Sequence, residues 1–278
     1  MKICFNEATT LKNSTLERDL ELCESLGYSL IEIRLDKLKE YLTIHSVDDL
    51  AAFFSKARLK PYAFNALEFI SFRDKAGRGD INDNLKFLCE IGSKIGCKKI
   101  VVVPTFDVGH RTVSEIEEET VRVLREMSAF AANYDVKLAF EFVGYPNCSV
   151  NTFGQALDIV NKAQRPNIGI VLDCFHFYAM GSRMNDIKRA RPEQIFIFHI
   201  DDSEDLPYGA ARDDARLWPG LGVVPLDGIL AALREIGYSE MASVELFRPE
   251  YWEYDAEKTI RDGYEATVNV VSKYFPVE

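Results

Sequence analysis

The sequence predicts a closed (β/α)8 barrel of the α/β class, and three observations predict it. Eight short apolar or β-branched segments alternate with amphipathic stretches at about 35 residues per unit, the spacing of parallel βαβ units. Four of the later segments run apolar and then end in an acid or a histidine, as strands do where they emerge from a buried sheet into a site. The third observation is an absence. An open doubly wound sheet, the alternative, needs a glycine-rich phosphate turn after its first strand, and Phe5 to Asn13 (FNEATTLKN) holds no glycine. One barrel domain over residues 1–278 follows, with nothing along the chain that reads as a linker.

Taken in order, Lys2 to Asn6 reads as the first strand. Helical spacing of Leu16, Leu20, Cys23 and Leu26 follows and stops at Gly27, after which Leu30 to Leu35 alternates like a second strand. Ser46 caps a helix with Val47, Leu50, Ala51, Phe53 and Phe54 on its apolar stripe, and Pro61 to Leu67 is the third strand. Asp80 to Ile95 is helical, and Lys99 to Val103 is the most strand-like run of all, ended by Pro104. Thr112 to Asn133 forms a long helix whose acidic first turns suit the helix dipole. Lys137 to Val143 is the fifth strand, Phe153 to Ala163 a helix, and Asn167 to His176 (NIGIVLDCFH) reads as a strand that ends in an acid and a histidine. A short helix near Asn185 to Arg189 leads to the strand Ile195 to Asp201. The polar stretch Asp201 to Gly222 is the longest irregular segment; helix Leu226 to Ile236, strand Met241 to Phe247 and helix Asp255 to Tyr274 complete the chain.

The polar residues at the strand ends are Glu141, Asp173, His199 and Glu245, on strands five to eight. Successive strand side chains alternate faces, so these share the barrel interior with Ala139, Val171, Ile197 and Ser243. The bulkier Leu138, Phe140, Ile170, Leu172, Phe196, Phe198, Ala242 and Val244 then face outer helices. Four ligands on neighbouring strands would close around one divalent cation; three carboxylates and one imidazole form a hard, oxygen-rich set suited to Mn, Mg or Co, with Zn also compatible.

Composition narrows the partners. A net charge of −11 disfavours nucleic acid and anionic membrane, and 47% hydrophobic residues allow a sizeable core. The six cysteines are scattered with no CxxC pair, as reduced, core-filling thiols are, and the amino terminus lacks the apolar stretch of a signal peptide. A cytoplasmic protein without disulfides is the expectation. No phosphate cradle appears, which favours an uncharged polyol or keto-sugar over a sugar phosphate.

Several longer motifs carry a resemblance: CFNEATT at Cys4 to Thr10, EFVG at Glu141 to Gly144, VNTF at Val150 to Phe153, FHFYAMGS at Phe175 to Ser182, FHIDD at Phe198 to Asp202, WPG at Trp218 to Gly220, and SVELFRPEY at Ser243 to Tyr251. With these the chain resembles the xylose-isomerase-like barrels, which include ketose 3-epimerases, inosose dehydratases and endonuclease IV. Within them it is most similar to the keto-inositol isomerases of inositol catabolism.

The resemblance implies that Glu141, Asp173, His199 and Glu245 hold the cation and that His176 and Arg216 bind substrate oxygens; Glu141 and Glu245 are the candidates for acid and base, since a metal-bound carboxylate keeps a free oxygen for proton transfer. It further implies interconversion of 2-keto-myo-inositol (scyllo-inosose) and 1-keto-D-chiro-inositol through an enediolate, with ketose 3-epimerase or inosose dehydratase chemistry as the alternative and a non-catalytic sugar-binding barrel behind them. Trp218, Phe247, Tyr251 and Trp252 are candidates for an apolar wall against the ring. Departures also inform. Gly144-Tyr145-Pro146-Asn147 stands where the 3-epimerases tend to carry Asn-Arg-Phe-Glu, and four histidines are too few for the three-metal cluster of endonuclease IV. Whether identical chains associate into a homo-oligomer is left open by the sequence.

Overall fold

A computed structural model describes residues 1–278. Its eight parallel strands are Lys2–Asn6, Leu30–Arg34, Lys60–Leu67, Lys99–Val102, Lys137–Glu141, Ile168–Asp173, Ile195–Ile200 and Met241–Val244. Each pairs with its neighbours in the chain and the last pairs with the first, so the barrel is closed and has no sheet edge. Helices Leu16–Leu26, Val47–Lys56, Lys75–Ile95, Val113–Ala131, Phe153–Ala163, Met184–Arg189, Leu226–Ile236 and Ala256–Val271 follow these strands in turn. None is long and apolar enough to cross a membrane. All six cysteines are buried and unpaired.

Local chemistry sets the boundaries. Thr15, Ser46, Thr112, Thr152 and Asp255 each accept a backbone N–H from the first turn of the helix they precede, and Ser46 with Asp49 and Thr112 with Glu115 form reciprocal capping boxes. The third large helix begins at Lys75 rather than Asp80 because Asp74 caps it, accepting from the Gly77 N–H at 2.8 Å; two glycines in its first turns hid that start. Three short helices escaped the periodicity: Leu35–Tyr41, Cys174–Ala179 and Pro249–Trp252. The second corrects the strand expected over Asn167 to His176. Asp173 ends that strand and its Oδ1 accepts from the His176 N–H at 2.6 Å, which turns Cys174, Phe175 and His176 into a helix. A short apolar run does not distinguish the two.

The predicted faces hold with one exception. Ala139, Val171 and Ile197 join Cys4, Ala63 and Val101 in an interior cluster, while Leu138, Phe140, Ile170, Leu172, Phe198, Ala242 and Val244 belong to the larger core between barrel and helices. Phe196, expected to face outward, lies in the interior cluster. Register explains it: Ile170 pairs with Ile195 but Val171 with Ile197, so Phe196 is the extra residue of a bulge and its side chain turns inward. Gly169 makes the room, since a Cβ there would lie 2.5 Å from the Phe196 ring. A second bulge, between Ile31 and Glu32, leaves Tyr62 unpaired on the third strand, and its hydroxyl donates to the Phe196 carbonyl at 2.9 Å. Both rings pack within the interior cluster.

At the other end, the long segment after the seventh strand is better ordered than its polarity predicts. Asp202–Ser203 pairs antiparallel with Arg216–Leu217. The Asp202 carboxylate accepts from the N–H groups of Ser203, Gly220 and Val224 at 2.9, 3.0 and 2.8 Å, and this stapling carries Arg216 into the barrel mouth.

Candidate metal centre

Glu141 and Asp173 are the last residues of the fifth and sixth strands, His199 lies near the end of the seventh, and Glu245 directly follows the eighth. The barrel brings all four together. His199 Nδ1 lies 3.1 Å from Glu245 Oε2, 3.2 Å from Glu141 Oε1 and 3.7 Å from Asp173 Oδ2. One potential ligand atom from each of the four falls within 4.8 Å of the others, and all four residues are buried.

The opposite strands hold this set in place through residues that the sequence reading missed. Glu32 on the second strand is fully buried, and its two oxygens lie 3.0 and 3.2 Å from His199 Nε2. That bond engages the Nε2 proton and leaves Nδ1 as the nitrogen facing the carboxylates, which would offer its lone pair to a cation once its own proton is released. Asn6 and Asn65, from the first and third strands, donate to Glu245 Oε1 at 2.8 and 3.0 Å and fix its orientation.

Charge is the test of whether these residues fit a cation. Glu32, Glu141, Asp173, Asp201 and Glu245 are five buried carboxylates, and only His199 and Arg216 lie among them as positive groups. Burial pushes the Glu141 carboxyl up to about 8, with the charge of Glu245 adding to the effect against the opposing pull of His199. Burial also raises Asp173, but the Arg216 guanidinium and His176 outweigh it and hold that carboxyl well below its usual range. His199 is raised well above an ordinary imidazole, against its desolvation, by Glu245 and Glu32. A divalent cation among these oxygens would supply the missing positive charge, so the donor set fits one.

Arg216 is not a solvated loop residue, since its side chain is 1% exposed. Its Nη1 donates to Asp173 Oδ2 at 2.8 Å, to Asp201 and to the Glu245 carbonyl at 3.2 Å, its Nε to Asp213 at 3.0 Å, and its Nη2 to His176 Nε2 at 3.1 Å. Desolvation lowers the His176 pKa and favours the neutral ring; with Nε2 accepting, its proton sits on Nδ1, which has no protein partner.

Above the cluster lies a cavity of about 200 Å³ that Glu141, His176, Arg216 and Glu245 help to line. A cleft of about 410 Å³ between helices Val113–Ala131 and Phe153–Ala163 is larger but gathers none of the clustered residues. Of the four aromatic residues expected at the cavity wall, only Phe247 is there, joined by Phe69, Phe106 and Tyr145. Trp218 instead stacks on Tyr251 at 4.4 Å, and Trp252 Nε1 donates to the Ala8 carbonyl at 3.3 Å. Both are anchors of the loops, which aromatic content alone does not separate from a ligand wall.

Comparison with known proteins agrees with this geometry. The family model for the xylose isomerase-like TIM barrel matches residues 20–269. The chain is 51% identical to inosose isomerase of Bacillus velezensis over the full length of both, and 52% identical to that of Bacillus subtilis over 99% of each. The crystal structure of IolI protein with a bound zinc atom superposes with a TM-score of 0.97 at 52% identity, covering 99% of each chain. D-psicose 3-epimerase from Clostridium cellulolyticum, at 18% identity and a TM-score of 0.76, shares the fold. With a closed barrel, a four-residue cluster at its C-terminal mouth and full-length relatives at half identity, the chain belongs to the xylose isomerase-like TIM barrel family, among the inosose isomerases.

Proposed function

We propose that this protein is an isomerase that interconverts 2-keto-myo-inositol (scyllo-inosose) and 1-keto-D-chiro-inositol, with Glu141, Asp173, His199 and Glu245 holding one divalent cation. The observation that carries the reading is the convergence of these four side chains beneath a cavity, in a chain whose full-length relatives are inosose isomerases. The zinc in the related crystal structure makes Zn the first cation to test, with Mn, Co and Mg as the others.

Moving a ketone to the adjacent carbon requires removal of a weakly acidic C–H beside the carbonyl and return of a proton to the neighbouring carbon. A divalent cation bound at this site would supply the electrophilic polarisation that makes an enediolate accessible. Glu141 and Glu245, both lining the cavity, take and return the proton. Glu245 suits transfer because one oxygen is fixed by Asn6 and Asn65 while the other faces the cluster. His176 offers its unpartnered Nδ1–H to a substrate oxygen, and Arg216 holds His176 in that tautomer while neutralising Asp173. Burial keeps water from competing for the transferred proton.

Proton NMR of the metal-loaded protein with scyllo-inosose in deuterated water tests the reading. Deuterium beside the carbonyl together with a new ketone isomer is the expected result. Exchange without that isomer, or loss of water to an enedione, would replace it with epimerase or dehydratase chemistry, and no exchange would remove the enzymatic reading for this substrate.

A further inference from the structure

Two arginines line the cavity, and they are not equivalent. Arg216 commits Nε, Nη1 and one Nη2 hydrogen to Asp213, Asp173, Asp201, His176 and a backbone carbonyl, and its side chain is 1% exposed. Arg34 makes side-chain hydrogen bonds to Asp36 alone, from Nε at 2.9 Å and Nη2 at 3.1 Å. Its Nη1 has no protein acceptor.

The position of Arg34 follows from strand geometry. Arg34 stands two residues beyond Glu32 on the second strand, so it shares the interior face and lies about 6.6 Å further along the strand toward the mouth. Phe247 stands in the same relation to Glu245, and Val143 to Glu141, and all three outer residues line the cavity. The inner set holds the clustered acids and the histidine; the outer set is where the far side of a bound ring would rest. Glu68 adds an acceptor to this outer set.

Arg34 is also held rigidly. Its backbone N–H donates at 2.8 Å to Glu7 Oε2, and Glu7 is fully buried beside Lys37 and Asp19, which are themselves joined at 2.6 Å. The fork to Asp36 fixes the guanidinium, which lies 5.9 Å from the centre of the Phe247 ring, and the side chain is 16% exposed. A charged donor held from three sides, with a spare N–H in a cavity, is a preorganised hydrogen-bond donor for a ligand.

We propose that Arg34 is a specificity-determining residue that donates to a hydroxyl on the side of the substrate ring remote from the reacting carbons, and thereby selects a fully hydroxylated cyclic ketone over one lacking those hydroxyls. The proposal rests on the isomerase reading of the same site.

The test compares Arg34→Met and Arg34→Lys with the parent protein on scyllo-inosose and on 2-hydroxycyclohexanone, which keeps the reacting α-hydroxyketone and lacks the remote hydroxyls, with turnover of both read as exchange of the α-proton for solvent deuterium because isomerisation of the second returns the same compound. For scyllo-inosose, Arg34→Met is expected to raise KM by about 10- to 100-fold, the loss of one charge-assisted hydrogen bond, with kcat within about threefold. For 2-hydroxycyclohexanone the KM of this variant stays within about threefold of the parent, and Arg34→Lys recovers part of the loss for scyllo-inosose. An unaltered KM for scyllo-inosose, or equal losses on both ketones, overturns the assignment, the second because it marks a general disturbance of the site. Failure of the parent protein to exchange the α-proton of scyllo-inosose removes the isomerase reading and this inference with it. An active parent beside an indifferent variant removes only the inference.

Discussion

Strands five to eight and strands one to three face one another across the same cluster and contribute to it in different ways. The later strands supply Glu141, Asp173, His199 and Glu245, whose atoms converge on one point. The earlier strands supply Asn6, Glu32 and Asn65, none of which belongs to that four-residue set and each of which holds a member of it by hydrogen bond. The comparison teaches a division of labour: one half of the barrel gathers the four potential ligands of the proposed cation, and the other half orients them. Chemistry in such a site depends on both, since a group misplaced by an ångström loses much of its effect.

The largest effect expected is on the gathering half. Glu245→Gln keeps the shape of the side chain and removes its basicity, so turnover of scyllo-inosose should fall about a thousandfold or more with the thermal melting curve little changed. Near-parental deuterium exchange in that variant would take Glu245 out of the proton transfer. On the orienting half, Glu32→Gln should weaken cation affinity by about 10- to 100-fold, read by competition with a chromophoric chelator. An unchanged affinity would mean that the two halves work independently.

Cation uptake should also be coupled to protons. Burial pushes the Glu141 carboxyl up to about 8, so as a ligand of the proposed cation it would release a proton on binding near neutral pH. His199, also raised, must give up its Nδ1 proton as well, so affinity should climb as pH rises through neutrality, and calorimetry in buffers of different ionisation heat should register proton release at pH 7. The absence of release there would show that Glu141 and the Nδ1 of His199 are both already deprotonated before the cation arrives. The smallest effects belong to Asn6→Ala and Asn65→Ala, each of which removes one of two donors to the same Glu245 oxygen. Each should lower kcat by about two- to tenfold, with a double variant that loses more than either alone. If neither single change is felt, Glu245 is oriented by the His199 side of the cluster instead.

The same asymmetry decided what the sequence revealed. On strands five, six and seven an acid or histidine interrupts an apolar run, and on strand eight Glu245 follows one; a lone polar group in a buried segment is conspicuous because it is costly unless paired. On the second strand, Leu30-Ile31-Glu32-Ile33-Arg34 alternates polar and apolar residues, the pattern of a strand with one solvated face. There the polar face turns inward, and Glu32 and Arg34 point to the site. Asn6 and Asn65 gave still less, since an asparagine near a strand end is commonplace in turns. The strands and large helices were legible from spacing and caps. The bulge that turns Phe196 inward was not, because register depends on the neighbouring strand rather than on the residue itself.

That bulge has a consequence for traffic. Phe196 and Tyr62 pack into the barrel interior near the N-terminal ends of the strands, and the cavity bordered by Arg34, Phe69, Tyr145 and Phe247 lies at the other end. An ion held by the cluster, as proposed, would lie beneath a sugar held in that cavity. A protein saturated with scyllo-inosose should then surrender its ion to a chelator more slowly than the same protein without it.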